Sequence, residues 1–285
     1  MRCSMMSRTI VFAHANGFPA GTYEPIFDVW RSEGWRVEAP ARFSHDQRYP
    51  VTSNWPRLRD QLTDFIVAND LAGAMLVGHS LGGLVSLMAA CKRPDLVGGL
   101  VMLDSPVVTG WRAHSVHMAK RAGLMQRVGP GAISSKRRHE WPSREAVHAH
   151  FAAKSAFARW DPRMLEAYVK AGFEDADDKV VLAVRREVET RIYNTLPHHV
   201  PALLRKHPPR CAVGFIAGTR SAEMRQGGFA SSHKLAGDLW RWIEGTHLYP
   251  MERPDDTARL VLELLGSMKP VPPKPRHPPR VQPAA

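Results

Sequence analysis

The chain has 285 residues, a formal net charge of +12 from 39 Lys and Arg against 27 Asp and Glu, 44% hydrophobic residues and three cysteines. That length suits one large domain or a domain carrying a sizeable insertion, and the apolar fraction is ample for a packed core, which excludes wholesale disorder. Cys3, Cys91 and Cys211 form no even framework and no C-x-x-C pair, which disfavours a disulfide-stapled secreted domain and a cysteine zinc cluster, and no apolar run approaches the ~20 residues of a membrane span.

Residues 1–6 carry a charge but no apolar stretch of signal-peptide length, so a cytoplasmic location is expected, with Met5 and Met6 as alternative starts. Residues 9–13 (T-I-V-F-A) form a short β-branched and apolar run ending at His14, the pattern of a buried strand. A weaker strand is predicted over 35–38, before Pro40. Pro56 opens a helix in which Leu58, Leu62, Phe65 and Ile66 recur on one face to about Asn69. A third strand is expected over 74–77, an apolar helix over 81–91 and a fourth strand over 100–103.

Strands spaced by helices imply right-handed crossovers and a parallel sheet. The pattern lapses between about Val108 and Arg205, where charged helical stretches (143–157, 162–172, 179–193) are predicted and no strand. It resumes with strands over 212–217 and 239–243 and a helix over 255–265. The simplest organisation is a core of 8–107 and 206–265, a helical cap inserted at 108–205 and a Pro-rich basic tail at 266–285. With seven prolines and four basic residues, that tail is expected to be extended and solvated.

Gly78-His79-Ser80-Leu81-Gly82 matches G-x-S-x-G, with a strand before it and a helix after it. Projecting Ser80 above a sheet edge needs a strained turn whose flanking residues approach too closely for side chains, hence the two glycines. The helix that follows aims its N-terminal dipole and the Leu81 N–H at the place where an oxyanion would develop. A nucleophilic serine needs a base. His247, just after the last strand and followed by a proline-limited loop, sits where an α/β sheet builds its site. His114, His117, His139, His148, His150, His198 and His199 fall in the insertion, where a solvated or half-buried side chain is the default.

The segments F-A-H-A-N-G-F-P-A-G-T-Y (12–23), G-H-S-L-G-G (78–83), V-M-L-D-S-P (101–106) and E-G-T-H-L-Y-P-M-E-R-P (244–254) resemble the α/β-hydrolase superfamily, and within it the compact, capped, esterase-like members. The resemblance covers about residues 8–265. It implies a mostly parallel central sheet flanked by helices, a Ser–acid–His triad and an oxyanion hole of two backbone N–H groups. Leu81 supplies one of these, and the loop after the first strand the other. Counting from His14 as the family's His-Gly histidine makes that donor Asn16, whereas matching Gly17-Phe18-Pro19 makes it Phe18. Asn16 ranks first, although Ala15 departs from plain His-Gly.

The acid departs from the common family pattern. Its usual slot, after the strand ending near Ala217, holds Ser221, which cannot stabilise an imidazolium by charge. Asp104 follows the strand at 100–103, and Glu223 lies two residues past the usual slot. Asp104 is favoured because it abuts a strand end and needs no rearranged loop.

Residues 105–205 carry 17 Lys and Arg against 10 Asp and Glu, so most of the net charge sits in the insertion and tail. Without an aromatic-interleaved basic stretch or helix-turn-helix pattern, nucleic-acid binding is disfavoured. Trp111, Met118, Leu124, Met125, Trp141, Phe151, Phe157, Trp160, Met164 and Tyr168 are expected to pack the insertion, with some lining a lid over an apolar acyl or alcohol group. The expected activity is that of a serine hydrolase cleaving a carboxylic ester or related acyl bond in a small-molecule substrate, through an acyl-enzyme. No Gly-rich nucleotide loop or metal-ligand spacing calls for a cofactor or metal. The alternatives are cofactor-free perhydrolase, acyltransferase or lyase chemistry on the same triad, or a ligand-binding receptor or weakly active partner protein on the same fold. Halide or epoxide opening is disfavoured, since those relatives carry Asp where this chain has Ser80.

Overall fold

A computed structural model describes residues 8–123, 127 and 129–268. Cys3, the alternative starts Met5 and Met6, Leu124, Met125 and the tail from residue 269 onward lie outside the described residues.

The sheet is built from β1 (Thr9–Ala13), β2 (Arg36–Glu38), β3 (Ala74–His79), β4 (Val97–Leu103), β8 (Val213–Gly218) and β9 (Trp240–Ile243), in the order β2-β1-β3-β4-β8-β9. Every pairing is parallel. A parallel sheet is covered on both faces, and β1, β3, β4 and β8 are accordingly buried throughout. Alternation along the strands divides the core in two. Val11, Ala13, Leu76, Met102 and Phe215 face α2 (Pro56–Ala68) and α3 (Leu81–Lys92). Ile10, Phe12, Val77, Val101 and Ile216 face α1 (Glu24–Ser32) and the terminal helix α13 (Pro254–Ser267).

Helix α1 was absent from the sequence reading, although Ile26, Phe27 and Trp30 mark one helical face. It opens with a proline in its first turn and supplies the β1–β2 crossover, and Trp30 Nε1 donates to the Ala258 carbonyl of α13 at 3.2 Å. No helix among the described residues is long and apolar enough to cross a membrane.

Between β4 and β8 the chain leaves the main sheet. It forms α4 (Gly110–Arg121), α5 (Pro130–Ser134), β5 (Glu140–Trp141), α6 (Arg144–Ala152), α7 (Pro162–Ala171), β6 (Phe173–Ala176), β7 (Lys179–Leu182), α8 (Arg186–Asn194) and α9 (Val200–Lys206). The three strands here pair antiparallel in the order β5-β7-β6, which corrects the expectation of a strandless, purely helical insertion. The helix predicted to begin at Lys179 is a strand as far as Leu182. Val180 and Leu182 bury themselves on one face, and Asp177 takes the left-handed conformation (φ +53) in a two-residue hairpin turn. Strands of two to four residues next to charged neighbours carry too short an alternation to read from sequence.

Trp141, Phe151, Trp160, Met164 and Tyr168 are all buried in this segment's core. Trp160 and Tyr168 also pack on Phe18, with ring centroids 5.6 and 5.4 Å away, and so tie the segment to the loop after β1. Met118 is instead exposed.

Candidate active site

The turn from β3 into α3 has almost no spare volume. A Cβ on Gly78 would stand 2.4 Å from the Gly82 carbonyl carbon, and one on Gly82 would stand 1.9 Å from the Ala13 carbonyl oxygen. This lets Ser80 take φ +53 and ψ −112, a strained conformation for a non-glycine residue that costs about 1–3 kcal/mol. The strain is held because the Ser80 N–H donates to the Leu103 carbonyl of β4 at 2.9 Å.

Asp104 repeats the device one strand over. Its φ is +45, and its N–H donates to the Ile216 carbonyl of β8 at 2.9 Å. Its carboxylate is fully buried and accepts three hydrogen bonds. The Gly218 N–H donates to Oδ1 at 2.7 Å, while the Ser221 hydroxyl (2.5 Å) and His247 Nδ1 (2.7 Å) donate to Oδ2. Glu223 Oε2 stands 3.9 Å from the same imidazole nitrogen, on a half-exposed side chain. Since a carboxylate only accepts, Nδ1 carries the proton, and the bare His247 Nε2 accepts from Ser80 Oγ at 2.9 Å. Burial opposes the charged imidazole, but the hydrogen bond to Asp104 and the charges of Asp104 and Glu223 outweigh it, and the His247 pKa lies above its ordinary 6.5.

The loop carrying His247 is fastened at both ends. Glu252, in α12 (Tyr249–Glu252), accepts from the Thr246 N–H at 3.0 Å and the Thr246 hydroxyl at 2.6 Å. On the other side the His247 carbonyl accepts from His79 Nε2 at 2.9 Å. That bond sets the His79 tautomer, so Nδ1 accepts from the Tyr23 hydroxyl at 2.7 Å. The Tyr23 oxygen in turn accepts from the Ala15 N–H at 3.3 Å. One buried chain of hydrogen bonds thus runs from the loop after β1, through the serine turn, to the histidine loop. Burial lowers the His79 pKa to about 3, so the ring stays neutral. His14 is likewise held neutral by burial, at about 4, with Nδ1 donating to the Ala15 carbonyl and Nε2 accepting from the Phe43 N–H.

Of the candidate oxyanion donors, Leu81 begins α3, where an N–H has no partner in the helical ladder. The Phe18 N–H already donates to the Ala15 carbonyl at 3.3 Å, while the Asn16 N–H has no bonded acceptor among the described residues. Ser80 and His247 open into a cavity of about 420 Å³, walled by Asn16, Phe18, Glu189, Tyr193, Glu223 and Leu248 among others. Of the insertion's aromatic residues, Tyr193 lines it, whereas Trp141, Phe151, Trp160 and Tyr168 are spent on packing. Of the insertion's histidines, His139 meets Arg186 and His198 meets Lys120, away from the cavity.

Among the described residues, one set of three His, Cys, Asp or Glu ligand atoms lies close enough to hold a metal ion. It is Asp104, Glu223 and His247, of which Asp104 and His247 are already committed to the hydrogen bonds above. The sequence reading missed Tyr23, His79 as a structural link, Ser221 as a donor to the acid, and Glu189. For His79 the signal was its place inside the G-x-S-x-G turn; Tyr23 and Glu189 carry no local signal, because their partners are 56 and 173 residues away.

The model of the Alpha/beta hydrolase family matches residues 10–260, and the chain belongs to that family. Among curated proteins it is similar to the monoglyceride lipase homolog of Monkeypox virus, at 26% identity over 192 residues, 63% of this chain and 65% of the relative. It is also similar to the Type I acyl-CoA thioesterase mpaH of Penicillium roqueforti, at 26% over 190 residues, 59% of this chain and 40% of the relative. The chain therefore spans less than two thirds of the length of these relatives. The solved structure of E-2-(acetamidomethylene)succinate hydrolase shares the fold, with a TM-score of 0.71 at 20% identity over 90% of this chain and 91% of that one.

Two measurements check the geometry without any substrate. Imidazole ¹⁵N spectra are expected to show His79 as the neutral Nε2–H tautomer throughout the neutral range, and His247 titrating above 6.5; a His79 ring that charges near neutrality contradicts the buried chain. Gly82→Ala is expected to cost about 3 kcal/mol in urea unfolding by overpacking. Gly266→Ala, which meets nothing within 4 Å, should be neutral or gain up to about 1 kcal/mol of helix propensity.

Proposed function

We propose that the protein is a serine hydrolase that cleaves a carboxylic ester or related acyl bond through an acyl-enzyme. The observation that carries this reading is the continuous hydrogen-bonded series Asp104–His247–Ser80 opening into a cavity. In this mechanism His247 Nε2 takes the Ser80 proton as Oγ attacks the substrate carbonyl, and Asp104 stabilises the resulting imidazolium. The N–H groups of Leu81 and Asn16 receive the developing oxyanion, a donor pair in which each member is worth about 10²–10³ in rate. The imidazolium then protonates the leaving group. Water, activated by the same nitrogen, releases the acyl group and restores Ser80 Oγ–H.

Asn16 is preferred to Phe18 because the Phe18 N–H is already bonded, and Asp104 to Glu223 because of the shorter contact with Nδ1. The hydrogen bond between Asp104 and His247 supports catalysis over the receptor alternative, which a site without a carboxylate on the imidazole would favour. Residues 108–205 act as the cap in this reading, since Glu189 and Tyr193 of α8 wall the cavity over Ser80. The names of the two curated relatives, a lipase homolog and a thioesterase, both denote acyl-bond cleavage and support the reaction class.

A fluorophosphonate probe is expected to label Ser80 and to leave Ser80→Ala unlabelled; absence of labelling in the folded wild type sinks the mechanism. On p-nitrophenyl esters, Asp104→Asn should lower kcat by about 10⁴, the cost of losing the orienting acid, whereas Glu223→Gln should retain most turnover. The base must be neutral, so kcat/KM should fall as pH drops through a midpoint above 6.5. Glu223→Gln removes a negative charge that raises the His247 pKa, and the acid limb should therefore move to lower pH.

A further inference from the structure

The cavity at Ser80 is also walled by a buried carboxylate that the mechanism above does not use. Glu189 is 6% exposed, yet it lines the same cavity as Ser80 and His247. Its Oε2 accepts from Arg137 Nη1 at 2.7 Å, and Arg137 Nη2 also donates to the Tyr168 hydroxyl at 3.1 Å, so the carboxylate is held in place from behind. Its Oε1 has no protein donor among the described residues and lies against the loop after β1, where a Cβ on Gly17 would stand 3.1 Å from it. Gly17, at φ +83, is what lets the carboxylate come so close to that loop.

The neighbouring polar groups run the same way. The Asn16 side-chain amide donates to the Glu189 backbone carbonyl at 3.0 Å, and Asn16 Oδ1 is buried with no partner. Glu223 adds a second carboxylate to the wall. Arg220, the one cation lining the cavity among the described residues, donates to Glu244 at 3.2 Å. The Glu189 and Glu223 carboxylates thus give the cavity an acidic wall near the reacting serine. A carboxylate oxygen facing a cavity from which bulk water is displaced on binding is costly without a donor, and a ligand that brings the donor recovers that cost. A substrate that ends in its own carboxylate would instead meet repulsion from Glu189 and Glu223.

We propose that Glu189 is a specificity-determining residue: its free Oε1 accepts a hydrogen bond from a hydroxyl or ammonium donor carried by the substrate close to the scissile acyl bond. This rests on the serine-hydrolase reading and narrows it to donor-bearing esters. The apolar part of the substrate lies along Phe18 and Leu248, and Arg137 is a positioning residue that orients Glu189 and opposes the upward push of burial on its pKa.

The test uses three butyrate esters that differ in the alcohol: 1-propyl, 2,3-dihydroxypropyl and 2-(dimethylamino)ethyl, the last protonated near neutral pH. The readout is the kcat/KM of each donor-bearing ester divided by that of the propyl ester, a ratio that a purely structural role of Glu189 leaves unchanged. In the full-length wild type at least one ratio is expected to exceed about tenfold, the worth of one hydrogen bond to a charged group. Glu189→Gln keeps an acceptor and loses the charge, so the ammonium ratio should collapse while the dihydroxypropyl ratio falls less. The double variant Arg137→Met/Glu189→Leu replaces the buried pair by apolar groups, an exchange that commonly preserves folding, and should bring both ratios to about one. Which wild-type ratio is larger distinguishes hydroxyl from ammonium as the donor. Ratios near one in the wild type, or ratios unchanged in both variants, overturn the proposal and leave the hydrolase reading intact. Turnover of none of the three esters overturns both.

Discussion

The buried carboxylate of Asp104 is the interaction on which the arrangement turns. A charge with no solvent access is tolerable only when it is paired and hydrogen-bonded, and Asp104 meets that condition by drawing donors from separate parts of the fold. Gly218 comes from the end of β8, Ser221 from the turn after it, and His247 from the loop after β9. Its own backbone is tied to Ile216. Removing any one donor leaves the others facing a less compensated charge, so the ends of three strands are held in register by electrostatics as well as by the sheet. The position of the imidazole, and hence the bond from Ser80 to Nε2, follows from that arrangement.

Much of the sheet was legible because parallel strands buried on both faces read as short apolar runs, and 9–13, 74–77 and 212–217 are such runs. Ser80 and His247 were readable as candidates for the same reason that they are constrained. The serine turn must carry glycines at 78 and 82, and a histidine after the last strand falls at the carboxyl edge of the sheet. The choice between Asp104 and Glu223 was open in the sequence because both lie within reach of one imidazole in chain terms. What separates them is the 2.7 Å contact against 3.9 Å, a difference set by backbone geometry at φ +45 that no residue type announces. The β5-β7-β6 sheet was missed because its period is too brief, and α1 because its face of Ile26, Phe27 and Trp30 is punctuated by charges. Glu189 falls in the charged helical stretch predicted at 179–193, and only the folded chain shows that Arg137 and the loop at Gly17 enclose it.

In the proposed triad the acid can sit away from the family's usual slot without cost to the imidazole, because β4 and β8 are neighbours. Leu103 pairs with Ile216, so residues just past the ends of both strands converge on the same side of the sheet. Asp104 and Ser221 therefore meet at 2.5 Å, one as acceptor and the other as donor. A carboxylate at 221 would have placed two negative charges at hydrogen-bond distance, and one of them would have to take up a proton. A serine there instead supplies a donor to the displaced acid, and its oxygen accepts from the Met224 N–H at 3.1 Å, capping the helix that follows at Ala222–Gly227. Residue 221 is thus not idle in physical terms: its hydroxyl donates to the buried carboxylate one strand away and helps hold it aimed at His247.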